Sequence, residues 1–164
     1  MVATSGHDFE EFFRAEQAPL LRYCWGLTLD REAARDTAQE ALARAWRDWP
    51  RIGGSRPQAW VRTVALNLVR SDWRRGRAPG LTHRVEPPSV ADSPVDVDLV
   101  RALRALPERQ REAIVLHHLG DLSVDDCADA MGVAPTSVKA HLQRGRARLA
   151  ELLVDDERTE VSHD

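Results

Sequence analysis

The chain has 164 residues, 43% hydrophobic and 30% charged, with a formal net charge of −3. This length allows one domain or two small ones. No apolar run approaches the roughly 18 residues of a membrane span and no charged-then-apolar leader opens the chain, so we predict a cytoplasmic protein without membrane insertion. Cys24 and Cys127 are far apart and each lies on an apolar helical stripe, which favours core packing over metal or redox chemistry.

The first half is predicted to open with two helices. Residues 8–29 place aromatic and aliphatic side chains at helical spacing, and Pro19 is expected to break or kink this helix. Asp30 then caps a second helix, which we expect to end at Pro50. Residues 51–56 contain two glycines and two arginines and are predicted to form a flexible loop. This half also holds all five tryptophans, most of which we expect in the core.

The third predicted helix runs from Pro57 to Arg75 and is apolar around most of its circumference. Trp73 falls within this apolar part of the circumference. Asp72 projects into the same part and is expected to need a hydrogen-bonding partner. Trp60 follows the loop directly, where it either packs in the core or stacks on an unpaired base. One narrow stripe of this helix is polar and is either a ligand-facing surface or an ordinary solvated edge. It consists of Thr63, Asn67, Arg70 and Arg74.

Residues 76–97 contain four prolines and two glycines and show little periodicity, which predicts a linker between two helical domains. A fourth helix is predicted up to Pro107 and a fifth after it. His117 and His118, in the fifth, are expected to pack or lie at the surface, since no further metal-ligand spacing accompanies them. Residues 154–164 are acidic and are expected to fray.

Residues 122–149 pattern as two short helices joined at Gly132. Ser123 is a favourable N-cap and Pro135 suits the first turn of the second helix, which has no acidic residue before Ala150. A cationic helix on a two-helix support is typical of a helix-turn-helix that enters the major groove. The alternative is an ordinary helical hairpin with a solvated basic face. The polar side of the second helix carries Thr136, Ser137, Lys139, His141, Gln143, Arg144, Arg146 and Arg148.

These segments together resemble an extracytoplasmic-function (ECF) sigma factor of bacterial RNA polymerase. The motifs DREAARDTAQEALARAW and QAWVRTVALNLVRSDWRR resemble its conserved region two, and LRALPERQREAIVLHHLGDLSVDDCADAMGVAPTSVKAHLQRGRARL resembles region four. The resemblance implies an all-α fold of two small helical domains joined by a flexible linker. We expect a region-two-like bundle at 8–75, the linker at 76–97, a helix-turn-helix domain at 98–153 and an acidic tail at 154–164.

The resemblance further implies binding to core RNA polymerase, promoter recognition and promoter melting, without catalysis or cofactor. An anti-sigma protein is a further partner expected from the family. Thr136, Ala140 and His141 depart from the family pattern, so its promoter preference does not transfer. Matched positions imply core-polymerase binding by Asp36, Gln39 and Glu40; contact with the −10 element by Arg51, Arg56, Trp60, Thr63, Asn67, Arg70 and Arg74; and contact with the −35 element by Thr136, Ser137, Lys139, His141, Arg144 and Arg146.

Two other functions compete with this hypothesis. The first is a stand-alone helix-turn-helix regulator with an N-terminal dimerisation or effector domain, which should bind duplex DNA alone as a dimer. The second is a helical enzyme fused to a DNA-binding module. No Ser/His/Asp, paired-carboxylate or phosphate-loop arrangement supports the second.

Overall fold

The computed structural model describes residues 2–76 and 97–161, with side chains from 6–76 and 98–154. Every regular element in these ranges is a helix, which confirms the predicted all-α class. The chain forms two compact units, Met1–Glu86 and Pro87–Asp164. The predicted linker lies outside the described residues except at its two ends. Within the described ranges, no helix combines the length and apolarity that a membrane span requires.

The first unit contains α1 (Val2–Thr28), α2 (Arg31–Ile52) and α3 (Pro57–Arg74). The start of α2 is fixed by its N-cap, because Asp30 Oδ1 accepts a hydrogen bond from the Ala33 amide at 2.7 Å. The helices pack through fully buried side chains, large on α1 and small on α2, so that the backbones can approach closely. The fully buried residues are Leu20, Tyr23 and Cys24 on α1 and Ala34, Ala41 and Ala45 on α2.

Pro19 does not break its helix, and Pro50 does not end its helix. Pro19 lies inside α1 and Pro50 inside the last turn of α2, so neither helix ends there. An internal proline removes one hydrogen bond and costs about 3 kcal/mol. Here each proline is followed within two residues by a buried apolar side chain, Leu20 or Ile52, whose burial offsets this cost. The predicted loop at 51–56 is therefore shorter, and its first two residues are helical.

The expectation that most tryptophans lie in the core is wrong for two of them. Trp25 and Trp49 are buried and Trp60 is half-buried, whereas Trp46 is 56% exposed and Trp73 is 38% exposed. Trp73 was placed in the apolar arcs of α3 but lies in its last turn, where the helix ends. The neighbouring Asp72 finds its partner in Arg75, at 3.7 Å between the charged groups.

The second unit contains α4 (Val97–Ala105), α5 (Glu108–Ile114), a π-helical turn at Val115–Leu119 that we call the π segment, α6 (Val124–Met131) and α7 (Pro135–Val161). Its core is aliphatic, and α7 approaches α5 where a glycine permits it. A Cβ built on Gly145 would lie 2.9 Å from Ile114 Cγ1. The main buried side chains are Val100, Leu103, Leu106, Ile114, Val115, Leu116, Leu122, Cys127, Met131, Val138 and Leu142.

The acidic tail was expected to fray from residue 154, and this is wrong up to Val161, because α7 continues to that point. The helix is reinforced one turn earlier by an ion pair between Arg148 and Glu151, 3.0 Å apart. The last three residues of the predicted tail, 162–164, lie outside the described residues.

Candidate functional site

The helix-turn-helix is built from α6, a short turn and α7. Ser123 Oγ accepts from the Asp126 amide at 3.1 Å, which caps α6 as predicted. At the other end Gly132 adopts the left-handed conformation, with φ of 67° and ψ of 34°. The amide of Val133 donates to the Ala128 carbonyl at 3.1 Å, and the Gly132 amide donates to the Asp129 carbonyl at 3.3 Å. These two bonds form a Schellman motif, so the chain turns sharply before α7 begins.

A further residue, which sequence reasoning missed, fixes this turn from outside. The Arg109 guanidinium on α5 donates to the Met131 carbonyl at 3.2 Å, and its partner Glu112 lies 3.2 Å away. A cation at the C-terminal end of a helix is favoured by the free carbonyls there. Arg109 therefore links α5 to the end of α6, next to the start of α7. The contact spans 22 residues, which no local sequence signal indicates.

The structure brings the six predicted −35 residues together on α7. Its opposite face is buried through Val138, Leu142 and Gly145, as the spacing predicted. The helix is therefore held by the core along one side and free along the other. Gln143, not assigned to this site from the sequence, is exposed on the same helix. Of the predicted residues, Thr136, Lys139, Arg144 and Arg146 are exposed, and Ser137 and His141 are half-buried.

The polar stripe of α3 is also formed as predicted. Thr63, Asn67 and Arg74 are exposed and Arg70 is half-buried, at spacings of four, three and four residues. The half-buried Trp60 lies in register with this stripe, one turn nearer the start of the helix. The opposite side of α3 is buried against the unit through Val61, Ala65, Leu66 and Val69.

The two arginines expected in the loop before α3 have different positions. Arg51 belongs to the last turn of α2, where its guanidinium lies 3.5 Å from the Asp48 carboxylate. Arg56 is the residue immediately before α3 and is exposed. Both precede α3 in the chain, Arg51 by six residues and Arg56 by one.

The predicted polymerase-binding residues lie on α2. Asp36, Gln39 and Glu40 are all exposed, one turn apart, and Glu40 pairs with Arg44 at 2.7 Å. The small residues between them, Thr37 and Ala38, are buried, so this part of α2 packs closely on the unit.

An apolar groove of about 650 Å³ runs between α1 and α2 beside this face. Trp46 forms one wall, with its ring 4.9 Å from that of Phe9, which in turn lies 5.2 Å from Trp49. Gln39 belongs both to the groove and to the predicted polymerase-binding face. Sequence reasoning missed the groove because it expected most tryptophans, including the wall residue Trp46, to lie in the core. The groove is lined by Phe9, Phe13, Gln17, Ala18, Leu21, Arg35, Ala38, Gln39, Leu42, Ala43 and Trp46.

The two cysteines are buried thiols, as predicted. Burial raises the pKa of Cys24 to about 12, although the nearby Arg62 charge opposes this shift. Burial raises the pKa of Cys127 to about 11, and the charge of Asp126 adds to the shift. A thiol with such a pKa stays protonated and is a poor nucleophile or metal ligand at neutral pH.

Comparison with known proteins decides the family. Models of sigma-70 region 2 and sigma-70 region 4 match residues 12–78 and 96–149. The chain is 34% identical over 157 residues to the RNA polymerase sigma-E factor of Streptomyces coelicolor, covering 90% of this chain and 86% of that protein. It is 32% identical over 160 residues to the ECF RNA polymerase sigma factor SigM of Mycobacterium tuberculosis, covering 93% of this chain and 80% of that one. The chain belongs to the ECF group of RNA polymerase sigma factors.

A solved structure agrees with this assignment. The sigma factor RpoE of Bartonella quintana, solved in complex with the anti-sigma factor NepR, is 33% identical, with a TM-score of 0.70 over 89% of this chain and 96% of that one. The ECF sigma factor described here therefore directs transcription initiation, as the sequence resemblance implied. Because both regions match in order, the stand-alone regulator and the enzyme are set aside.

Proposed function

We propose that this sigma factor divides its contacts among three helix faces. The α2 face with Asp36, Gln39 and Glu40 binds core RNA polymerase, the α3 stripe engages the −10 element, and α7 reads the −35 element. The observation that carries this division is that each set is accessible on a different helix whose opposite face is buried. A rigid helix with one free polar face positions several side chains for one partner at little further entropic cost.

The α3 stripe suits an opened promoter strand. Arg70 and Arg74 supply cations for phosphates, Asn67 supplies an amide for a base edge, and Trp60 presents a ring on which an unpaired base can stack. Extruding a base from the duplex costs a few kcal/mol. The exposed Arg51 and Arg56 precede α3 in the chain and would add positive charge for the displaced strand.

The α7 face suits duplex DNA. In a helix-turn-helix the first residues of the second helix reach base edges, and later cations contact the backbone. Thr136 and Ser137 occupy the first turn, and Lys139, His141 and Arg144 follow. His141 stands where arginine is frequent in the family, so this position lacks the forked guanidinium that binds phosphate or guanine through two parallel hydrogen bonds.

The polymerase-binding surface combines charge with apolar area. Asp36 and Glu40 attract a basic segment, and the adjoining groove accepts apolar side chains of an amphipathic helix. An exposed tryptophan at such a groove is a typical binding hot spot, because its burial removes a large apolar area from water. We therefore include Trp46 and the groove in the surface that binds core polymerase.

We also propose a regulator and a cellular location for this sigma factor. The similar Bartonella protein was solved with an anti-sigma factor, and we propose a regulator of that class here. The sigma factor itself acts in the cytoplasm, where promoter DNA and polymerase meet.

Reconstitution with purified core polymerase tests this function. The chain should bind core polymerase and direct transcription from a subset of a randomised promoter library, whereas core polymerase alone should not. A stand-alone regulator would instead bind duplex DNA as a dimer without polymerase. Failure to bind core polymerase at micromolar concentration would contradict the proposal.

A further inference from the structure

The groove between α1 and α2 has an aromatic end and a cationic end. The two helices are joined by a short turn and pack side by side, so they run antiparallel. The contact between the rings of Phe9 and Trp46 closes one end. Arg35 lines the groove eleven residues before Trp46 on α2, which is about 16 Å along the helix axis. The charge of Arg35 therefore lies at the end away from the aromatic rings.

The positive charge at this end is not compensated. Arg35 is exposed, and none of the ion pairs among the described residues of the first unit includes it. Its acidic neighbours on α2, Glu32 and Asp36, are not paired with it, and none of the described residues that line the groove is acidic. Two amide side chains, Gln17 and Gln39, complete the polar part of the lining and can donate hydrogen bonds. This end of the groove is therefore suited to an anion.

The walls between the two ends are apolar. They include Phe13 and Leu21 of α1 and Leu42 of α2, and the cavity of about 650 Å³ is in the size range of small-molecule sites. A ligand with polar groups along its length would leave them without hydrogen-bonding partners against these walls. A hydrocarbon chain has no such groups and gains free energy from each apolar contact that it makes. The lining therefore favours a ligand with one anionic head and an apolar chain.

We propose that the groove binds a free fatty acid, with its carboxylate on Arg35 and its acyl chain directed towards Phe9 and Trp46. A guanidinium binds a carboxylate through two parallel hydrogen bonds, and Gln39, one turn further along α2, can donate another. The bound acyl chain fills the space that apolar side chains of core polymerase would enter, so the fatty acid competes with polymerase. This competition rests on the proposed function of the α2 face, whereas the binding of the fatty acid does not.

Calorimetric titration of the full-length chain with laurate, below the critical micelle concentration of laurate, tests the site. Binding should be saturable and equimolar. Arg35→Gln should weaken it about tenfold, because the carboxylate loses its charged partner, and Arg35→Lys should recover part of the loss. The matched control is Arg47→Gln. Arg47 is an exposed arginine of the same helix that does not line the groove, so this variant should bind laurate like the unmodified chain.

Methyl laurate gives a second measurement that needs no variant. It has the same acyl chain without the charge, so it should bind the unmodified chain about tenfold more weakly than laurate does. It should bind Arg35→Gln and the unmodified chain equally. Equal affinities of the unmodified chain for laurate and its methyl ester would overturn the proposal. An unchanged laurate affinity in Arg35→Gln, or the absence of saturable binding, would also overturn it.

Binding to core polymerase is measured separately, with and without laurate. Laurate should weaken the binding of polymerase to the unmodified chain and should have a smaller effect on Arg35→Gln. If the chain binds polymerase but not laurate, the fatty-acid site is wrong and the proposed function stands. If it binds laurate through Arg35 but does not bind polymerase, the proposed function is wrong and the site stands. If it binds both without competition, the assignment of the groove to polymerase is wrong.

Discussion

Arg62 on α3 is paired with Glu16 on α1, and the two side chains are only 4% and 13% exposed. The same guanidinium donates to the Gln58 carbonyl at 3.2 Å, and the Tyr23 hydroxyl donates to the Arg62 carbonyl at 3.0 Å. The Glu16 pair and the Tyr23 bond attach α3 to α1, whereas the Gln58 bond lies within α3. Because the polar stripe that we propose for the −10 element lies on the free side of α3, this buried pair fixes the helix that carries it.

Breaking the pair from one side should be costly. Glu16→Ala leaves the Arg62 charge buried without its carboxylate, so the free energy of unfolding of the first unit should fall by about 3 to 5 kcal/mol. Tryptophan fluorescence during urea unfolding reports this, since all five tryptophans lie in that unit. Glu10→Ala is the matched control, because the Glu10 pair with Arg14 is exposed and should contribute under about 1 kcal/mol. Equal losses in the two variants would show that the buried pair has no special role.

The raised pKa of Cys24 predicts alkaline sensitivity of the first unit. In the folded state the thiol holds its proton up to a pKa of about 12, whereas the unfolded thiol loses it near 9.0. The contribution of the protonated Cys24 thiol to the free energy of unfolding is fully present below pH 9. As the pH rises from there towards 12, the free energy of unfolding should fall by up to about 1.4 kcal/mol per pH unit. In Cys24→Ala the free energy of unfolding, followed by tryptophan fluorescence during urea unfolding, should depend less steeply on pH. Cys127→Ala, in the other unit, should leave this dependence unchanged; an effect as large as that of Cys24→Ala would rule out Cys24 as its source.

Two glycines of the helix-turn-helix are needed for different reasons. Alanine at Gly132 meets nothing within 4 Å but must adopt a φ of +67°, which costs about 1 to 2 kcal/mol. Alanine at Gly145 has no such strain but overlaps Ile114, which costs about 1 to 3 kcal/mol. Hydrogen exchange of α6 and α7 amides measures both. In an Ile114→Ala background the Gly145→Ala cost should largely disappear and the Gly132→Ala cost should persist. If the Ile114→Ala background removed both costs equally, backbone strain at Gly132 and steric overlap at Gly145 would not be separate causes.

Local signals were sufficient to predict some elements and not others. Ser123 and Gly132 act through their own backbone neighbours, so the cap and the turn of α6 could be read from the sequence. Whether Pro19 breaks α1 depends on tertiary packing, and the helix continues through it to the buried Leu20 despite the lost hydrogen bond. Residue type alone also gives the wrong burial for Arg62 and Trp46. Arg62 is a charged residue in the core, and Trp46 is an aromatic residue at the surface. The partners of both are on other helices, at separations that no local pattern reports.

Trp46 is expected to anchor the polymerase-binding surface. Trp46→Ala should reduce affinity for core polymerase by about 30-fold, the effect of losing a hot spot of about 2 kcal/mol. Its ring is 56% exposed, so the fold should remain intact by circular dichroism. Trp73→Ala removes the other exposed tryptophan and should leave core binding, measured without DNA, unchanged. If both substitutions weaken core binding equally, the α1/α2 groove is not the anchor.

The most direct test of the three-face division compares two double variants in two assays. Asp36→Ala with Glu40→Ala should weaken binding to core polymerase. Asn67→Ala with Arg70→Ala should leave core binding intact and reduce promoter opening, measured by permanganate reactivity of unpaired thymines in the reconstituted complex. Both pairs come from one small unit and differ mainly in the helix that carries them. Separate losses, one in each assay, are the predicted result; the same pattern of loss for both pairs would contradict the division of surfaces.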